Sequence, residues 1–235
     1  MNNSTALVTG ANKGIGLHIA RQLAAAGLTV HVGSRDAGRG RRAVEQIGGG
    51  ARLLLLDVTD DGSVAEAAGQ VGELDILVNN AGIMAGTATA PDSDVDSFRR
   101  TYETNLFGVV RVTNAFLPAL RRSAHPRIVN VSSGTGSLTW STGPEPHFPA
   151  GGVGAAYRSS KTALNALTLF YAQSLAGFKV NAVAPGLRNT DLNDRAAASD
   201  GDPAEGAAGA VRLALLDDDG PTGGFFSWDG TVMPW

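Results

Sequence analysis

The sequence predicts an α/β protein: a doubly wound, parallel sheet of seven strands with helices on both faces. Three observations carry this. Seven short apolar runs recur along the 235 residues, most of them continuous and not alternating, as strands covered on both faces must be. Six longer amphipathic stretches lie between them, so strand and helix alternate. The first strand enters the first helix through a glycine-rich turn, TGANKGIG at 9–16. Right-handed crossovers would gather the C-terminal ends of the strands at one edge, where such sheets bind ligands.

In chain order the predicted strands are 6–9, 29–33, 52–56, 74–78, 127–131, 180–184 and 224–227. The predicted helices are 14–26, 37–47, 60–69, 94–121, 154–176 and 203–216. No internal repeat and no long linker interrupts them, so one domain is expected over 1–235. The stretch AAASDGDPAE at 196–205 reads as a mobile surface loop.

Composition narrows the function. A formal charge of −3 argues against a nucleic-acid surface. The absence of cysteine excludes disulfides, thiolate catalysis and Cys-ligated zinc. His18, His31, His125 and His147 lack metal-ligand spacing, so no metal is expected. No apolar run reaches the length of a membrane span, and the N-terminus has no basic region before its first apolar run. The expectation is a soluble cytoplasmic chain. Only three of the 19 basic residues are lysine, namely Lys13, Lys161 and Lys179, so their positions carry information.

The glycine turn spaces Gly10, Gly14 and Gly16 as G-x-x-x-G-x-G between strand and helix. Glycines there allow a tight turn and close approach of the backbone, while the helix N-terminus offers free N–H groups to a pyrophosphate. A Rossmann-type dinucleotide site follows, with Asn12, Lys13 and Ile15 inside the turn. The group that distinguishes the two dinucleotides should stand at the end of the second strand. There the sequence reads Ser34, Arg35, Asp36. Arg35 can fork onto a 2′-phosphate, and Lys13 lies where a phosphate would. Asp36 either grips a ribose 2′-OH or caps the helix that starts at Ala37; the cap reading is preferred. The cofactor expected is therefore NADP(H). Arg39, Arg41 and Arg42 read as a solvated helix face. Asp57 and Val58 end the third strand, where a carboxylate can accept the adenine amino group; Asp60 or Asp61 suits the following helix cap better. Asn79, Asn80, Ala81 and Gly82 end the fourth strand and bring backbone close to a ribose.

Tyr157 and Lys161 stand at i and i+4, on one helix face. A phenol titrates near 10, so lowering it by about three units needs roughly 4 kcal/mol, and a neighbouring ammonium is the natural source. Ser133 ends the preceding strand and could orient a substrate oxygen.

Taken together, TGANKGIG at 9–16, DV at 57–58, NNAG at 79–82, the asparagine of NLFG at 105–108, Ser133, YRSSK at 157–161 and PGLRNT at 185–190 resemble the short-chain dehydrogenase/reductase family over nearly the whole chain. Within it, the turn, the S-R-D triplet and the C-terminal stretch look like NADPH-dependent carbonyl reductases. The resemblance implies NAD(P)(H)-dependent interconversion of alcohol and carbonyl. Tyr157 would be the general acid in reduction. Lys161 would lower its pKa and hold the nicotinamide ribose. Ser133, preferred over Ser132, would bond the carbonyl oxygen. Asn105 would anchor a water linking Lys161 to solvent; it could equally mark a helix kink without any relay. Pro185, Gly186 and Thr190 would fix the nicotinamide end.

Twenty-three residues separate Ser133 from Tyr157, where ordinary members have about a dozen; the excess is 140–152, WSTGPEPHFPAGG. An insert there covers the face other members use to dimerise, which favours a monomer. Met84, Trp140, Phe148, Val153 and Leu187 are candidate walls of an apolar substrate pocket, with Trp140, His147 and Phe148 equally able to belong to a surface loop. The short segment 191–205 would be its lid. An NAD-preferring alcohol dehydrogenase using Asp36, and a non-catalytic NADP(H) sensor, are the alternatives.

Overall fold

The protein's structure is a computed structural model that describes residues 4–142, 147–148 and 151–235. Seven strands pair in parallel throughout: β1 Thr5–Val8, β2 Thr29–Ser34, β3 Ala51–Leu55, β4 Ile76–Asn79, β5 Arg127–Val131, β6 Lys179–Ala184 and β7 Phe225–Ser227. Their order, β3-β2-β1-β4-β5-β6-β7, reverses direction between β1 and β4. That switch point opens a crevice at the strand C-termini.

Alternation along each strand feeds two cores. Ala6, Val8, Val30, Val32, Ile76, Val78, Val129 and Val131 face one side. There they pack against α1 Gly14–Ala25, α2 Ala37–Ile47 and α9 Pro203–Ala214. Leu7, Leu54, Leu77, Ile128 and Val180 face the other, against α3 Asp61–Gly69, α5 Gly108–Leu120 and the C-terminal end of α7 Ala155–Ser174. A third cluster closes the far edge of the sheet: Ala182, Ala184, Phe225 and Met233, with Trp140 and Trp235 packed on it.

The expected helices are present with one substantive change. The single helix predicted over 94–121 is α4 Val95–Tyr102, a π-helical turn Glu103–Phe107, and α5. A π turn inserts extra backbone into an α-helix, and such turns recur at functional sites. The strand predicted at 74–78 begins two residues later, because Leu74 is buried by packing and its N–H bonds Ala119 C=O at 3.3 Å. Two short helices were not foreseen, α6 Leu138–Thr142 and α8 Asp194–Ala197, the latter capped by Asn193. The loop predicted at 196–205 therefore starts inside α8 and ends inside α9, which Asp202 caps. No described helix is long and apolar enough to cross a membrane.

A buried polar thread ties the middle strands to the helices beneath the crevice. Asn79 Nδ2 donates to Thr113 Oγ1 (3.1 Å) and Asn130 Oδ1 (2.9 Å). Asn130 Nδ2 donates in turn to Thr168 Oγ1 (2.9 Å). Each buried group is satisfied, so the thread fixes α5 and α7 against β4 and β5 at little net cost.

Candidate active site

The glycine turn and the segment after β4 are pressed together. Thr9 Oγ1 accepts the N–H groups of Asn80 (2.9 Å) and Ala81 (3.0 Å). Asn80 Nδ2 donates back to the carbonyls of Thr9 (2.9 Å) and Gly10 (3.4 Å). Gly10 and Gly14 have positive φ, +63° and +53°. A Cβ at position 16 would lie 2.3 Å from Asn80 Nδ2 and 2.7 Å from Gly10 O, so only glycine fits there. Asp36, Asp60, Asp94, Asn193 and Asp202 cap five other helices through their side chains. Helix α1 begins at Lys13 with no side-chain cap. Its first N–H groups are thus left for an external acceptor, which suits a pyrophosphate.

Lys13 itself forms an ion pair with Asp191 on the segment after β6. This differs from its expected place on a phosphate, though both side chains are more than half exposed and the pair is worth little. Thr190 stands beside the turn: its Cγ2 is 3.5 Å from where a Gly14 Cβ would be. At the end of β2, Ser34 is buried and turns its hydroxyl inward, donating to Asp36 C=O at 2.8 Å. Arg35 is exposed and lines a cleft of about 600 Å³ with Leu56, Asp57 and Ser63. Asp36 is the α2 cap: its Oδ1 accepts Arg39 N–H at 2.7 Å, and that bond holds its carboxyl below the usual range. Asp57 Oδ1 accepts both the N–H and the hydroxyl of Thr59 (2.9 and 2.7 Å), and Asp60 caps α3. Val58 backs onto Gly108, where a Cβ would come within 3.0 Å of Val58 Cγ2.

Ser133, Tyr157 and Lys161 converge across the crevice from this turn. Ser133 leads into a 3-10 turn, Gly134–Gly136, and its Oγ lies 2.9 Å from Thr135 Oγ1. Ser132 is drawn away into packing, donating to Asn165 Oδ1 at 2.5 Å. Lys161 is buried, and its Nζ donates to Val131 C=O at 2.8 Å and sits 5.7 Å from the Tyr157 ring centre. Burial lowers the Lys161 ammonium to about 8. Burial also pushes the Tyr157 phenol up to about 12, against a smaller downward pull from the Ser133 hydroxyl. The lowering expected of Lys161 concerns the site with cofactor bound; in the free protein burial sets the direction of the Tyr157 shift, and the Ser133 hydroxyl opposes it.

Asn105 is buried inside the π turn. Its Oδ1 accepts Ile83 N–H (2.8 Å) and its Nδ2 donates to Ile83 C=O (2.9 Å) and Ser160 Oγ (3.0 Å). Gly82 faces the space between Asn105 and Lys161: a Cβ there would lie 3.4 Å from Asn105 Oδ1 and 3.6 Å from Lys161 Nζ. Pro185 and Gly186 (φ +75°) form the turn after β6.

Next to Ser133, Trp140, Phe148 and Met233 meet around Gly134. A Cβ on Gly134 would find them at 3.1, 3.5 and 3.5 Å. Trp140 stacks on His147 at 4.3 Å, and Arg158 lies over Phe148 and donates to Ser141 Oγ (3.1 Å). Met84 reaches the start of α7 and its Sδ accepts Asn193 Nδ2 at 3.1 Å. Val153 and Leu187, the other two candidate walls, are exposed. Residues 143–146 and 149–150 of the insert lie outside the described residues. Its described part meets the N-terminal end of α7, where Arg158 lies over Phe148, and the rest of the covering expected of the insert falls on residues outside the described ones. The chain's C-terminal residues were missed from sequence. Trp235 C=O accepts Thr139 N–H (3.1 Å), its ring stacks on Phe225, and Met233 joins Trp140 and Phe148 beside Gly134. The apolar ending VMPW was the available signal.

Comparison with known proteins agrees with this geometry. Residues 4–201 match the short chain dehydrogenase family. The chain belongs to that family. Short-chain dehydrogenases are oxidoreductases that use a nicotinamide nucleotide, and the chain resembles several along nearly its full length. Salutaridine reductase of Papaver bracteatum is 35% identical, with 94% of this chain and 93% of the relative aligned. That alignment runs to 297 positions, longer than this chain, so the relative carries segments that are missing here. (+)-Neomenthol dehydrogenase of Arabidopsis thaliana is 37% identical over 94% of this chain and 95% of its own. Among solved structures, NADPH-bound carbonyl reductase from chicken fatty liver superposes with a TM-score of 0.82 at 28% identity, covering 100% of each chain.

The buried ammonium yields a stability prediction. Lys161 titrates lower folded than unfolded, so its burial cost is fully present below about pH 8 and fades as pH rises toward 10.5. Lys161→Met removes that cost but leaves Val131 C=O unpaired, so the variant should gain about 2 kcal/mol at pH 7 and lose the gain by pH 10.5. Urea unfolding at the two pH values checks it.

Proposed function

We propose that this protein reduces an aldehyde or ketone to an alcohol with NADPH, using Tyr157 as the proton donor. The convergence of Ser133, Tyr157 and Lys161 beside an uncapped, glycine-lined helix N-terminus carries the reading. When bound, NADPH supplies the hydride that goes to the carbonyl carbon. Ser133 donates a hydrogen bond to the substrate oxygen and keeps it against Tyr157. As charge builds on that oxygen it becomes a far stronger base than a phenolate, so a phenol held at about 12 still gives up its proton readily. Lys161, with one donor on Val131 C=O, has others for ribose hydroxyls and for the phenolate that Tyr157 leaves. Asn105 and Gly82 border the space through which a water would return a proton.

Three observations support NADP(H). Arg35 is exposed at the end of β2, Asp36 is engaged as a helix cap, and no other carboxylate ends that strand. The pocket wall of Trp140, Phe148, Met233 and Met84 suits a substrate with a sizeable apolar group next to its carbonyl. The relatives named salutaridine reductase and (+)-neomenthol dehydrogenase support a reductase or dehydrogenase of an organic small molecule. The insert before Tyr157 supports a monomer, and a cytoplasmic location is the reading that goes with it; no apolar run reaches the length of a membrane span.

NADPH consumption over a panel of aldehydes, aryl ketones, quinones and cyclic ketones tests the activity. Tyr157→Phe should lower turnover by about 10²–10⁴ while leaving NADPH affinity within a factor of a few. If no carbonyl compound consumes NADPH although it binds, the protein is a sensor and the reading fails. Arg35→Asp should weaken NADPH relative to NADH by about tenfold or more. Tighter NADPH binding by that variant would overturn the cofactor assignment.

A further inference from the structure

Arg188 is a buried cation that neither the sequence motifs nor the reaction accounts for. It stands two residues after Gly186 and is 7% exposed. Its Nε donates to Pro185 C=O (2.7 Å), its Nη1 to Glu205 Oε2 (2.9 Å), and its guanidinium lies 4.3 Å above the Trp228 ring. Three glycines from three parts of the chain make room for it. A Cβ on Gly206 would fall 2.8 Å from Arg188 Cγ, one on Gly201 3.2 Å from its Cδ, and one on Gly186 3.5 Å from its Nε. Beside it, Asn189 N–H bonds Gly201 C=O at 2.8 Å and closes the neck of the 190–200 loop.

Stability alone does not call for this arrangement. Burying a guanidinium costs several kcal/mol before its partners return any of it, and an apolar side chain of similar volume often does as well. What the rigid fork supplies is direction. It joins the Pro185–Gly186 turn to the first turn of α9 and to the segment after β7, so that the turn cannot move apart from them.

We propose that Arg188 is a positioning residue for the nicotinamide end of the cofactor. It sets the Pro185–Gly186 turn and, through that turn, the register of the reacting ring. It has no such hold on the adenine end, which lies across the crevice near Arg35. This inference rests on the NADP(H) reading above.

The two ends of the cofactor separate the effects. Affinities for NADPH and for its adenine half, 2′,5′-ADP, are measured by titration in wild type, Arg188→Met and Arg188→Lys, with NADH in parallel and thermal unfolding recorded for each. The methionine variant should bind NADPH about tenfold more weakly and turn over more slowly, yet bind 2′,5′-ADP within about twofold of wild type. The lysine variant, keeping a charge and a donor, should fall between. A methionine variant that binds NADPH as wild type does, or loses both ligands equally, would overturn the inference. If the methionine variant does not fold, Glu205→Ala frees Nη1 from a half-exposed partner and should give the same split at smaller size; no split there overturns the inference too. Wild type that binds neither NADPH nor NADH would instead overturn the functional reading, and the inference with it.

Discussion

The ammonium of Lys161 is the constraint around which the C-terminal edge of the sheet is organised. It is 4% exposed, and its one described bond is to Val131 C=O at the end of β5. A Cβ on Gly136 would strike the Lys161 backbone at 2.8 Å, so the turn after Ser133 and helix α7 are in direct contact there. Among the described residues no carboxylate pairs with it. A charge in such a place calls for acceptors from outside the chain. The sugar and phosphate oxygens of a nucleotide are acceptors of that kind. Carrying the cost of a buried charge in the folded protein is how a site can trade stability for function.

The fold brings two halves to that charge. One is the α1 side, where Thr9 and Asn80 clamp the glycine turn, and Gly16 has no room for a side chain because the Asn80 amide occupies it. The other is the α7 side, where the polar thread from Asn79 through Asn130 to Thr168 fixes the helix under Tyr157 and Lys161. The two meet where Gly82 lies between Asn105 and Lys161. Arg188 and the C-terminal residues close the remaining sides, at the Pro185–Gly186 turn and beside Gly134.

Much of this was legible in the sequence, and the reasons are physical. Runs that are mostly apolar without strict alternation, such as RIVNV at 127–131, suit strands buried on both faces, and all five residues there are buried. The spacing of Gly10, Gly14 and Gly16 foretold a turn without side chains, and Tyr157 and Lys161 share a helix face because the helical repeat requires it. What escaped depends on distance in space. An apolar pattern does not register one extra residue in a turn, so the π turn that carries Asn105 was hidden in a single helix. Arg188 did not stand out, because Gly201, Gly206 and Trp228 reach it only through the fold. The burial that raises Tyr157 in the free protein likewise depends on the fold, and the i, i+4 spacing with Lys161 carries no information on it.

The most direct test is the titration of Lys161 itself, followed by NMR of selectively labelled lysine; with only three lysines the signals can be assigned by substitution. The account predicts a pKa of about 8 in the free protein that rises on adding NADPH, because acceptor oxygens and phosphate charge favour the ammonium. A Lys161 that titrates near 10.5 in the free protein, or one that NADPH leaves unmoved, would contradict it.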